Sequence, residues 1–165
     1  MEIVDVYNKR REKTNRTCER GKQKEGEYGL SVHIWIMNKE GKFLVQKRSK
    51  NKKIFPDMWS LTAGAVDTGE TSEEGAIREA KEEIGVDINK DDMELILSFK
   101  RTHNFLDVWL VRKDIDLKDI IMQEEEVQEV KWVTKEELEE MIKNDEVAGT
   151  VTLYYKMFFT ILEIF

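Results

Sequence analysis

The chain is poor in several residues that would decide its class at once. Its 165 residues include one cysteine, one proline and two histidines. A lone Cys18 closes no disulfide framework, so the expected compartment is a reducing cytoplasm. Cys18, His33 and His103 lie far apart and are too few for a zinc site of the Cys/His type. No run of about 18 apolar residues occurs, which excludes a membrane-spanning helix, so no membrane partner is expected. The start, MEIVDVYNKRREK, carries acidic residues and lacks the apolar stretch and small-residue cleavage site of a secretory signal. Internal repeats and low-complexity linkers are also missing.

What is present is enough for one core: 40% of residues are hydrophobic, 9% aromatic and 37% charged. We expect a single domain over residues 1–165, with a hairpin extension at 1–27 and a C-terminal helix within 144–165. The net charge of −7 is unevenly spread. The first 53 residues hold 15 Lys and Arg against 7 Asp and Glu, and the remainder 12 against 27. An acidic total argues against a nucleic-acid coat protein, and no stable nucleic-acid complex is expected. The asymmetry suits an acidic half that binds cations and a basic half that faces an anion, or else two solvated faces.

Glu2–Tyr7 and Arg16–Arg20 alternate around a polar turn and predict a small hairpin. Tyr28–Met37, the turn Asn38–Gly41 and Lys42–Arg48 predict a second strand pair. A basic loop follows at 49–53, and Pro56 breaks any regular element after it. Thr71 with Glu74 forms a capping box for a helix that Gly85 ends. Met93–Lys100, Phe105–Arg112 and Val127–Val133 read as strands. Thr134 with Glu137 opens a helix over Lys135–Lys143, and apolar spacing predicts another over Thr150–Phe165. The fold class is therefore α/β, a mixed sheet with helices packed on its faces.

One segment carries chemistry, Gly64 to Val86, GAVDTGETSEEGAIREAKEEIGV. On its helix Glu79 and Glu83 stand one turn apart, roughly 6 Å along the axis, with Glu82 beside them. Ala76, Ile77, Ala80 and Ile84 form a separate apolar stripe that docks the helix. Glu70 can fold back toward the carboxylate face from the preceding loop. Carboxylates crowded in this way repel unless neutralised, and a hard divalent cation such as Mg²⁺ does so while leaving room for phosphate oxygens. A chain with 23 Glu will also carry acidic runs that are only solvated faces, and Glu136–Glu140 reads as one.

Seven fixed positions, Gly64, Glu70, Arg78, Glu79, Glu82, Glu83 and Gly85, match the spacing G-x5-E-x7-R-E-U-x-E-E-x-G-U, where U is apolar. The segment resembles the box of the Nudix hydrolases; Ala80 is smaller than the usual aliphatic residue. The resemblance implies an α/β/α sandwich with a mixed sheet, preceded here by the N-terminal hairpin. It implies Mg²⁺ or Mn²⁺ held by Glu79, Glu82 and Glu83, with a Gly64 carbonyl facing the metal. Glu70 would join the metal shell or fix its loop, and Gly64 and Gly69 would permit that loop. Arg78, pointing away from the carboxylate face, would bond back near Glu70. The reaction would be attack of water on a diphosphate linkage in a small molecule, with Glu79 or a carboxylate outside the box orienting the water.

Beyond the box, Arg48 ends a strand and is either a phosphate contact or an exposed strand-end arginine. Glu124, Glu125 and Glu126 lie where family members often supply an extra carboxylate, or else form a solvated acidic run. His103 is a base or substrate contact, or a loop residue without a role, and Cys18 is assigned none. Trp35, Trp59, Trp109 and Trp132 fall in strand patterns and read as core. The chain is also similar to the isopentenyl-diphosphate isomerase branch of the superfamily, but Leu61-Thr62-Ala63-Gly64 lacks the Cys and His of those enzymes. A non-catalytic nucleotide-sensing module is the third reading, although no box carboxylate is missing. A homodimer is compatible with all three.

Overall fold

A computed structural model describes residues 1–164; Phe165, the last residue of the expected C-terminal helix, lies outside the described residues. Strands β1 (Ile3–Tyr7) and β2 (Lys13–Glu19) form the N-terminal hairpin. Then come β3 (Gly29–Met37), β4 (Phe43–Arg48), β5 (Trp59–Ser60), β6 (Thr62–Ala65) and helix α1 (Ser72–Ile84). Strands β7 (Met93–Lys100), β8 (Asn104–Arg112) and β9 (Val127–Val133) are followed by helices α2 (Lys135–Lys143), α3 (Gly149–Thr152) and α4 (Tyr155–Ile164).

The main sheet runs β5-β4-β3-β8-β7, with β6 added to β3 and β9 to β4. It is mixed: β3 and β8 pair in parallel from Gly29–Asn104 to Met37–Arg112, and the other pairs are antiparallel. Strand β3 meets β4 at one register pair, Met37 with Phe43, and gives the edge along Ser31–Ile34 to β6. Period-two alternation along β3 builds both layers. Leu30, Val32, Ile34 and Ile36 face α1, where Ala76, Ala80 and Ile84 meet them. On the other side Trp35 is fully buried and stacks on Phe158 of α4, with ring centroids 4.1 Å apart. The small residues of α1 allow a close approach to the chain below it; a Cβ on Gly75 would lie 3.0 Å from Val66. Ala80, where a larger aliphatic residue was expected, is wholly buried.

Two expectations are corrected. The C-terminal helix is not continuous over Thr150–Phe165: a turn at Leu153-Tyr154 separates α3 from α4. The β-branched run Thr150-Val151-Thr152 makes α3 a single turn with little tendency to propagate. Tyr154 also turns inward, where its hydroxyl accepts from Trp35 Nε1 at 3.0 Å and meets His33 Nδ1 at 2.7 Å. Residues 144–148, expected within the same helical segment, are not helical either: 144 and 145 turn, with Asp145 at φ of 57°, and 146–148 run beside β5, where Trp59 N donates to Glu146 O at 2.9 Å. Strands β5 and β6 were not anticipated, because two- and four-residue strands around Gly64 show no readable period.

The hairpin is latched to the rest of the fold by two buried carboxylates. Asp107 of β8 receives both Arg11 terminal nitrogens at 2.6 Å and the Ser98 hydroxyl at 2.7 Å. Asp5 accepts from the Thr68 hydroxyl at 2.8 Å and from Gly69 N at 2.9 Å, so β1 clasps the loop that leads into α1. Gly69 adopts φ of 83° there, a conformation that favours glycine.

Candidate active site

The site is assembled where α1 crosses β6. Thr71 caps α1 through Glu74 N, Glu74 returns the bond to Thr71 N, and Gly85 ends the helix at φ of 69°. With both ends fixed, the positions of Arg78, Glu79, Glu82 and Glu83 are set by helical geometry alone. Arg78 binds Glu70 with Nε at 2.8 Å and Nη2 at 3.0 Å, and Nη2 also donates to Ala65 O at 2.9 Å. Asp67 N donates to the same Glu70 at 3.0 Å. Glu70 is therefore a loop anchor and does not line the carboxylate cleft. The expectation that Arg78 points away from the other carboxylates is corrected: Nη1 reaches Glu79 at 2.9 Å and Glu82 at 3.1 Å. A five-donor fork can serve the loop and the helix face together.

Glu79 sits in the space that a side chain on residue 64 would take, since a Cβ on Gly64 would overlap its carboxylate. Glu83 is 6% exposed, and Gln46 Nε2 donates to its Oε2 at 2.5 Å. The Thr62 hydroxyl donates to Gln46 Oε1 at 2.8 Å and so fixes which end of the amide faces Glu83. Burial pushes the Glu83 carboxyl up to about 8 against the Gln46 bond, and Glu79 and Glu126 add to the rise. Burial likewise pushes Glu79 up to about 7; Arg78 opposes this, and Glu82 and Glu2 reinforce it. Two carboxyls thus favour holding their protons near neutrality, so a cation has to displace protons to bind them. Glu82, about half exposed, completes the face.

These groups line a polar cleft of about 190 Å³ together with Glu2, Arg20, Arg48, Lys52, Gln123 and Glu126. Arg48 is thus placed beside the box carboxylates, with Nε donating to Ile54 O at 3.1 Å. Of the acidic run only Glu126 lines the cleft, paired with Lys52; Glu124 and Glu125 are exposed outside it. His103 is exposed in the turn between β7 and β8, and Cys18 is half-buried on β2, neither of them in the cleft. Trp35 and Trp59 are core residues, while Trp109 and Trp132 are half-buried against the α1-side core. A larger groove of about 720 Å³, between β7 and the α3–α4 corner, is mainly apolar, and among the described residues no carboxylate lines it.

Sequence reasoning missed Gln46, Lys52 and the hairpin residues Glu2 and Arg20. For Gln46 a signal existed: alternation in β4 places it with Leu44 on the face toward α1, where a buried polar group needs a partner.

The oxygen-only donor set suits a hard divalent cation, and the Gly64 cradle brings Glu79 against the backbone of β6. Among the described residues, no three acidic, His or Cys side chains are already gathered into a cage. Arg78 holds Glu79 and Glu82, Gln46 holds Glu83, and Lys52 holds Glu126. Mg²⁺ fits such a site, because it is usually bound through one or two carboxylates, retained waters and substrate phosphates.

The sequence model of the NUDIX domain matches residues 27–153. An uncharacterized Nudix hydrolase of Listeria innocua is 42% identical over 148 residues, which is 88% of each chain. A Deinococcus radiodurans crystal structure, that of DR0079, superposes with a TM-score of 0.74 at 28% identity, covering 89% of this chain and 92% of that one. An isopentenyl-diphosphate Delta-isomerase of Salmonella heidelberg is 40% identical over 60 residues, 36% of this chain. The chain belongs to the Nudix hydrolase family. It is accordingly a pyrophosphohydrolase, an enzyme acting on phosphoric anhydride bonds. Among the described residues no helix is long and apolar enough to cross a membrane.

Proposed function

We propose that this chain is a Mg²⁺- or Mn²⁺-dependent diphosphohydrolase of the cytoplasm, cleaving a diphosphate linkage in a nucleoside diphosphate derivative or a similar X-linked diphosphate. Residues 1–165 would act as one unit. The observation that carries the reading is the cleft itself, in which Glu79, Glu82 and Glu83 face Arg20, Arg48 and Lys52 across about 190 Å³. Glu79, Glu82, Glu83 and the Gly64 carbonyl would hold the cation. Bound there, it would polarise phosphate oxygens and lower the pKa of water.

The chain's own groups do the rest. Arg48 contacts the phosphate, and Arg78 keeps Glu70, Glu79 and Glu82 in register with the β6 backbone. Glu126 is the carboxylate outside the box best placed to take the proton of the attacking water, with Glu79 as the alternative. The water oxygen bonds to one phosphorus, the bridging P–O bond breaks, and the two phosphate products separate. Catalysis then rests on positioning and charge neutralisation. Isomerase chemistry is not supported, because among the described residues neither Cys18 nor either histidine lines the cleft.

The test is a screen of purified protein with Mg²⁺ against nucleoside triphosphates, nucleotide sugars, ADP-ribose, dinucleoside polyphosphates and prenyl diphosphates, with product identification. We expect hydrolysis products that vanish on exhaustive chelation. Hydrolysis surviving chelation, or isomerisation of isopentenyl diphosphate without hydrolysis, would contradict the reading.

A further inference from the structure

We propose that the N-terminal hairpin, which lies outside the matched NUDIX region, supplies a substrate-binding residue: Arg20, which holds the phosphate of the diphosphate next to the one attacked. This rests on the hydrolase reading above. Arg20 follows directly on β2, and its side chain lines the same cleft as Gly64, Glu79, Glu82 and Glu83. Its backbone is fixed there, since Arg20 N donates to Glu2 O at 2.9 Å and Gly21 turns the chain away at φ of 83°. The guanidinium is held over the cleft by Glu2, at 2.8 Å from Nη1 to Oε2.

The cations of the cleft differ in how far each is already committed to a partner. Arg78 is committed to Glu70, Ala65 O, Glu79 and Glu82, and Lys52 to Glu126. Arg48 has given Nε to the Ile54 carbonyl. Among the described residues Arg20 has one acidic partner, the exposed Glu2, and exposed pairs of this kind contribute little, so an incoming phosphate can displace Glu2 easily. The planar fork then meets two phosphate oxygens at once.

Arg20 also lines a second cleft of about 200 Å³, which shares no other lining residue with the carboxylate cleft. Gln23, Ser31, Arg101, His103 and Asn104 line it with polar side chains, and Val4, Leu30 and Ala65 add an apolar part. A phosphate bound by Arg20 would direct the group it carries into this cleft. Its polar side chains can hydrogen-bond the hydroxyls of a group such as a sugar, while Val4, Leu30 and Ala65 offer it an apolar wall. The hairpin is braced for this role, with Asp5 clasping Thr68 and Gly69 and Arg11 bound to Asp107. Any movement of the hairpin is therefore resisted from both ends.

The test is calorimetric binding of methylenediphosphonate, a diphosphate that is not hydrolysed, to wild-type and Arg20→Gln protein in the presence of Mg²⁺. Mg²⁺ binding alone is measured in parallel. We expect Arg20→Gln to weaken diphosphonate binding about 10-fold or more, as for loss of a charge-assisted bond. Mg²⁺ binding should be unchanged, and Arg20→Lys should recover part of the loss. Arg10→Gln, at the exposed hairpin tip, is the control for removing one positive charge and should bind like wild type. Equal affinity in wild type and Arg20→Gln, or an equal loss in Arg10→Gln, would overturn the assignment of Arg20 and leave the hydrolase reading intact. Failure of wild-type protein to bind the diphosphonate would overturn the hydrolase reading and this proposal with it.

Discussion

Helices α1 and α2 are built from nearly the same local instructions. Each opens with a Thr capping box closed by a Glu three residues on, and each carries four or more glutamates. Their fates differ. On α2, Glu136, Glu137, Glu139 and Glu140 are exposed, and Leu138 and Met141 alone are buried. On α1 the carboxylates of Glu79 and Glu83 are turned against β6 and β4 and lose their water. The difference lies in what each helix packs against. A glycine at 64 and a glutamine at 46 make room and a partner for carboxylates under α1; α2 has neither. Acidic composition alone therefore does not make a site, and a tertiary surface that accepts the acid does.

The largest expected contrast is catalytic. Glu83→Gln keeps the size and the Gln46 contact but removes the charge, and kcat should fall at least ~10²-fold. Glu139→Gln should leave kcat within experimental error. Steady-state kinetics on the two variants would break the comparison if both lost activity equally.

Arg78 gives the largest expected effect on stability. Replacing it by Ala leaves Glu70 and Glu79 without their partner in a partly buried setting, at a cost of about 2–4 kcal/mol. Removing Lys135, whose partner Glu163 is exposed, should change little by comparison. Denaturant unfolding of both variants measures the contrast.

Titration separates the helices as well. The Glu79 and Glu83 carboxyls are raised from the ordinary range to about 7 and about 8, burial being the main cause. Their contribution to stability is then fully present below their unfolded pKa and is lost as pH rises through the folded values. Asp5 and Asp107 are lowered by their bonds to Lys13 and Arg11 despite burial, so their contribution is lost only in acid. Metal-free protein should therefore lose stability between about pH 5 and 8. Glu83→Gln should flatten that decline, and Glu139→Gln should not. Thermal melts across this range would show it.

Much of this was legible in the residues, for identifiable reasons. The box, the Thr71 and Gly85 caps, the strands from β7 to β9 and helix α2 all rest on periodicity or on short-range spacing. The corrections and omissions come from contacts that carry no such signal. Gln46 meets Glu83 across 37 positions, and Arg11 meets Asp107 across 96. Tyr154 breaks the C-terminal helix because of hydroxyl partners on β3 that no local pattern announces. Arg78 was expected to serve the loop alone, whereas its fork spans the loop and the helix face.

The central claim is that the α1 carboxylates hold the cation. It is tested most directly by the shift in melting temperature on adding Mg²⁺ to wild type, Glu79→Gln/Glu83→Gln and Glu136→Gln/Glu139→Gln proteins. A cation that binds only the folded site stabilises it by about 2.7 kcal/mol at a hundredfold excess over Kd. In a domain of this size that is a rise of roughly 5–10 °C. The wild type and the α2 double variant should show the full rise, the α1 double variant none, and NaCl at equal ionic strength should not reproduce it. A full rise retained by the α1 double variant, or an equal rise with NaCl, would contradict the account.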